Sequence, residues 1–171
     1  AILGDAHAQS AQSGKRVAFV VGIDRYDNLS HDKQLQKAVG DARAMHTTLS
    51  HLGYGVTVDQ NVTRLGLLRR WQEFLNTIEP GDEAAVFFAG HGIEIAGVNY
   101  LIPGDVPQVG AGEEELLKGA AVQLDALLDS LRERRPRVSL VILDACRNNP
   151  FIVARGRSIG TAKGLADTRP P

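Results

Sequence analysis

One cysteine in 171 residues excludes an internal disulfide framework, although it does not identify a redox compartment. The five histidines show no zinc-type spacing, and no metal or cofactor is expected. Neither a CxxC redox pair nor a GxSxG nucleophile elbow is present. No apolar run approaches the roughly 18 residues that suggest a membrane-spanning helix. Lys and Arg number 19 against 20 Asp and Glu, so the net charge of −1 leaves no footprint for nucleic acid or an anionic membrane. Internal repeats and low-complexity tracts are also missing.

What remains is 43% apolar and 23% charged, the composition of one globular domain with a real core. Short apolar runs alternate with amphipathic ones. Arg16 to Ile23 predicts a first buried strand, and Ala38, Ala42, Met45, Leu49 and Leu52 recur at helical spacing. Gly53 and Gly55 end that helix, and Val56 to Asp59 is a short strand. Thr63 is placed to cap a second helix with the apolar face Leu67, Trp71, Phe74, Leu75 and Ile78. Glu83 to Ala89 predicts another strand. Ile93 to Leu101, with Ala96-Gly97 at its middle, predicts a hairpin. Pro103 to Glu115 reads as a loop. Leu124, Leu127, Leu128 and Leu131 mark a third helix, and Val138 to Leu143 a buried central strand. After Phe151 no further strand is expected. The order implies an α/β domain with a mostly parallel sheet flanked by helices.

Two residues stand at the expected carboxyl ends of buried strands, where open α/β sheets bind ligands. Cys146 follows Leu143-Asp144-Ala145, and His91 lies between Gly90 and Gly92. Fifty-five residues separate them, room for the crossover that parallel neighbours require. A thiol needs a base or a depressed pKa to act near neutrality, and a positioned imidazole supplies the base. The two glycines predict a sharp turn and a close backbone approach to substrate. Taken alone, Cys146 would more often be a small buried hydrophobe and His91 an exposed loop residue. Asp144 lies two residues before Cys146, so strand alternation puts both on one side. An acid there would raise the thiol pKa, an odd choice unless the substrate is cationic. Asp24 borders the same edge and is a further, weaker candidate acid. Arg25 raises the opposite option, a pocket for Asp. Arg147, Asn148 and Asn149 read as a strand-to-loop turn, with Pro150 stopping local pairing.

Phe88-Ala89-Gly90-His91-Gly92 followed by Leu143-Asp144-Ala145-Cys146-Arg147 resembles the histidine and cysteine motifs of the caspase-like cysteine peptidases. The string from Leu143 to Phe151 is most similar to bacterial paracaspase-type members, the orthocaspases. Asp144 stands where the caspase signature has Gln. The resemblance covers roughly residues 15 to 165 and implies a caspase-like three-layer sandwich. It implies a Cys146–His91 dyad, with the N–H groups of Gly92 and Cys146 as the oxyanion hole. It also implies that Asp144 and Asp41 line a pocket for Arg or Lys. Asp41 is otherwise explained as an acid in the first turn of a helix. The caspase arginines do not map onto Arg25. Metacaspases are commonly calcium-activated and paracaspases are not; no acidic calcium loop occurs here.

The expected domain plan has three parts: an extension over residues 1–14, a catalytic large-subunit domain over 15–165, and a tail over 166–171. By the resemblance, a small-subunit region with two more strands would follow. Ala1 to Gln9 resembles the end of a secretory signal with small residues at Ala6 and Ala8, which would make the protein periplasmic or secreted. An ordinary polar extension would leave it cytoplasmic. Arg155, Arg157 and Lys163 are candidate self-cleavage points. Candidate partners are polypeptide substrates, a second copy of the chain and its own small-subunit region. The expected activity is endopeptidase cleavage after Arg or Lys. The competing reading is a catalytically silent caspase-fold module that binds partners or scaffolds an assembly.

Overall fold

Along β1 (Arg16–Gly22), Phe19 and Val21 enter one buried cluster, while Ala18 and Val20 enter another. A strand buried on both faces requires helices above and below it. The computed structural model describes residues 14–146, 149–153, 157–158 and 165, and it supplies those helices. On one face lies α1 (Ala38–His51), packed through Ala38, Ala42 and Leu49. On the other lie α2 (Arg64–Thr77), the short α3 (Glu114–Ala120) and α4 (Leu124–Glu133). Thr63 caps α2 as its sequence predicts, its hydroxyl accepting from the Gly66 N–H at 3.1 Å.

β1 pairs in parallel with β2 (Gly55–Gln60) and with β3 (Glu83–Ile95). The far end of β3 turns back through Ala96 and Gly97 into β4 (Val98–Leu101), which pairs with β5 (Val122–Gln123). Both turn residues have positive φ, 51° and 82°, as a tight hairpin demands. Along its first nine residues β3 also pairs in parallel with β6 (Val138–Cys146). The result is an α/β three-layer sandwich around a mixed sheet whose central strands are parallel. Among the described residues no helix is long and apolar enough to cross a membrane.

Five expectations need correction. Val138 to Leu143 is neither fully buried nor central: among the described residues β6 pairs with β3 alone, and Val138 and Leu140 are 42% and 43% exposed. The Gly90-His91-Gly92 segment does not turn; it is extended within β3. The segment from Pro103 to Glu115 is not all loop, since α3 begins at Glu114. With seven residues and Leu117 as its one buried side chain, α3 has too little periodicity to be seen in sequence. The two-residue β5 follows it and is equally invisible. Finally, strand structure does follow Phe151: β7 (Ile152–Val153) pairs antiparallel with β8 (Arg157–Ser158). The β-branched Ile-Val pair favours this ladder, but two residues are too few to register as a pattern. The N-terminal signal-like residues, Arg155 and Lys163 lie outside the described residues.

Candidate active site

The site forms where β3 changes partners. Its pairing with β6 ends at His91↔Cys146, and its pairing with β4 begins at Gly92↔Leu101. Register and alternation set up a row on the α1 face. Phe87↔Ile142 lies in the α1-side cluster, Ala89↔Asp144 comes next, and His91↔Cys146 closes the row at the strands' carboxyl ends. The backbone thus brings the predicted base and nucleophile positions side by side.

His91 is 3% exposed. Its Nε2 lies 2.7 Å from the Lys33 carbonyl oxygen, which can only accept, so Nε2 carries the proton. Nδ1 is therefore the lone-pair nitrogen. It is buried and has no hydrogen-bond partner among the described residues. An orphaned acceptor of this kind costs roughly 1–3 kcal/mol unless something donates to it. Burial pushes the His91 pKa down; the Lys33 carbonyl opposes that shift, and the Lys33 charge adds to it. The ring is neutral near pH 7, the state that can accept a proton. The Tyr26 ring packs against it at 4.6 Å, and the Tyr26 hydroxyl accepts from the His91 backbone N–H at 2.7 Å.

The flanking glycines are required by packing. A Cβ on Gly92 would lie 2.8 Å from the Leu165 side chain and 3.1 Å from that of Ala145. One on Gly90 would lie 2.9 Å from the Phe88 ring and 3.0 Å from the Tyr26 hydroxyl. Gly92 therefore stands beside the 91–146 pair, with the side chains of Leu165 and Ala145 filling the space a Cβ would need.

Asp41 and Asp144 come together across a cleft of about 420 Å³ floored by Ala89 and Gly90. Its other wall is the segment from Gln34 to Ala38, which includes Lys37. Both acids are exposed. Asp24 and Arg25 are not among the described residues lining this cleft. The Asp24 carboxylate instead accepts from the Ala38 N–H at 2.8 Å and the Val39 N–H at 3.2 Å. It caps α1, whose own N-cap residue Lys37 makes no side-chain cap bond. Asn149 behaves as the turn residue expected, its Oδ1 accepting from the Phe151 N–H at 2.8 Å. Sequence reasoning missed Tyr26, Lys33 and Gln34. A lone aromatic in a polar, turn-rich segment was the available signal for Tyr26. Lys33 acts through its carbonyl, which no side-chain pattern reports.

A buried imidazole thus stands in register with a cysteine where the parallel pairing of β3 and β6 ends. The chain belongs to the caspase-domain family, which matches it over residues 15–169. Membership places the domain among the caspase-like cysteine peptidases. The human mucosa-associated lymphoid tissue lymphoma translocation protein 1 is 25% identical over 132 residues, covering 77% of this chain and 15% of that protein. Its mouse homologue matches with the same identity and coverage. The chain thus spans about 15% of the length of these relatives. A solved structure from Geobacter sulfurreducens superposes with a TM-score of 0.55 at 16% identity, over 77% of this chain and 50% of that one. That likeness is one of fold.

Proposed function

We propose that this domain is a cysteine endopeptidase that cleaves after Arg or Lys, with Cys146 as nucleophile and His91 as general base. The observation that carries the reading is the buried Nδ1 of His91, without a partner among the described residues, on the strand position paired with Cys146. A thiol proton is the donor that this nitrogen lacks. Nδ1 takes it, and the thiolate sulfur attacks the scissile carbonyl carbon. The Gly92 and Cys146 N–H groups would hold the resulting oxyanion. The imidazolium then gives its proton to the leaving amine, and an acyl-thioester remains. Water, deprotonated by His91, hydrolyses that ester and restores the thiol. Throughout, the Nε2–H stays on the Lys33 carbonyl and fixes the ring.

The cleft supports the basic specificity. Two carboxylates facing one cavity of this size suit a guanidinium or ammonium, and an acidic side chain would meet repulsion. A bound cation would also offset the field that Asp144 exerts on a thiolate two residues away. Arg155, Arg157 and Lys163 are then candidate sites of self-processing.

Fluorogenic peptides ending in Arg, Lys or Asp test the reading on wild type and Cys146→Ala. Hydrolysis after Arg and Lys is expected, with a loss of about 10³-fold or more in the variant. No hydrolysis by the wild type would leave the silent, partner-binding module. Cleavage after Asp alone would overturn the acidic pocket while keeping the nucleophile.

A further inference from the structure

The His91 contacts described above all come from the strap between β1 and α1. Lys33 receives Nε2–H, and Tyr26 supplies both the packed ring and the hydroxyl that receives the backbone N–H. The turn presenting Lys33 (His31–Lys33) has no side-chain cap of its own. It is held from Gln34, the next residue. Gln34 Oε1 accepts from the Tyr26 N–H at 2.7 Å. Its Nε2 donates to the carbonyls of Tyr26 and Leu29, both at 2.9 Å, and more distantly to that of Ser30 at 3.5 Å. One side-chain amide therefore ties the residue behind His91 to the residue in front of it. Asp32 also accepts from Ser30 Oγ and pairs with Lys33, both exposed and within two residues, while Asn28 ties the strap outward to the carbonyls of Asp105 and Val106.

We propose that Gln34 is a positioning residue for His91, locking the strap so that the Lys33 carbonyl keeps the proton on Nε2 and Nδ1 stays free. Its catalytic consequence rests on the peptidase reading above; its effect on the ring does not. The chemistry requires an amide. Gln34→Glu keeps the acceptor for Tyr26 N–H, loses the donations and sets a negative oxygen against the carbonyls that received them. Gln34→Ala loses every one of these bonds.

Imidazole nitrogen resonances of the ¹⁵N-labelled full chain test this across pH in a Cys146→Ala background. His91 is identified among the five histidines by its loss in His91→Asn. The parent should show a single Nε2–H tautomer with a depressed titration midpoint. Both Gln34 variants should move toward averaged tautomers, with the midpoint rising toward the free-histidine value of about 6.5. With Cys146 restored, kcat on an Arg peptide should fall about ten-fold, and the acid limb should rise in step. A ring that keeps its tautomer and midpoint in both variants overturns the proposal, whatever happens to thermal stability. If the ring responds but the wild type hydrolyses nothing, the positioning stands and the peptidase reading fails. Hydrolysis with an unresponsive ring gives the converse.

Discussion

His91 is placed where charging it is unfavourable. Only 3% of its surface is exposed, and desolvation outweighs the help that the Lys33 carbonyl gives to a cation. Two consequences follow from the lowered pKa. A base must be neutral to work, so the acid limb of kcat/KM should lie below about pH 6.5, the ordinary histidine value. The unfolded chain, in contrast, takes up this proton near 6.5. As pH falls below that value the unfolded state gains protons that the folded state refuses, and stability declines until the folded pKa is reached. Urea midpoints followed against pH should therefore slope less steeply in His91→Gln. The acids of the cleft are a separate matter. Asp41→Asn and Asp144→Asn should each lower kcat/KM for Arg peptides about ten-fold, the worth of one charged hydrogen bond. A kcat/KM on Arg peptides unchanged from wild type in both variants would exclude these acids from the cleft chemistry. That His91 and Cys146 share one end of the sheet was readable from motif and spacing. The reason for its glycines was not. Gly90 and Gly92 look like a turn because glycine permits one, yet they are small because Phe88, Tyr26, Ala145 and Leu165 leave no room.

At the scale of elements, local signals were legible and distant ones were not. Thr63 and Gly66 are three residues apart, so the α2 cap can be read from the string. The α1 cap comes from Asp24, fourteen residues before the amide it receives. From sequence Asp24 is just another acid near the site. Both Thr63→Ala and Asp24→Ala should destabilise the fold by about 1 kcal/mol in urea titrations. They should part in the peptidase assay. Losing Asp24 frees the start of α1, which carries Asp41 and anchors the strap, so kcat/KM should fall. Losing Thr63 frays a helix on the opposite face and should leave kcat/KM unchanged. Equal effects on activity would show that α1 is held by something other than Asp24. β3 carries the same lesson. Its alternation is plain from Glu83 to Ala89, but its change of partners at His91 depends on β4, β5 and β6 together.

Across the whole molecule the two helical layers differ in the side chains that fill them, and the cleft lies on the α1 side. The α2–α4 side is filled by large rings; Phe19, Trp71 and Phe74 lie 5.5–5.7 Å apart by their centroids. The α1 side sets Ala18, Ala38, Ala42, Ala85 and Ala89 among Val20, Leu49 and a single buried ring, Phe87. Gly22 lets α1 settle onto the end of β1: a Cβ there would collide with the Ala38 carbonyl and lie 2.8 Å from the Ala42 Cβ. That close approach brings Asp41, in the first turn of α1, to the cleft that Asp144 borders from β6. Gly22→Ala should therefore lift the start of α1, at a cost of about 1–3 kcal/mol for the overpacked contact. The functional effect should be selective. His91 and Cys146 lie on adjacent strands, so kcat should change less than KM, which should rise for Arg and Lys peptides as the two acids separate. Trp71→Phe provides the contrast. It removes the indole bond to Ser130 at 2.9 Å on the far layer and should lose stability while leaving KM unchanged. If both variants raise KM to the same degree, the loss follows stability in general and the small residues beneath α1 do not set the cleft.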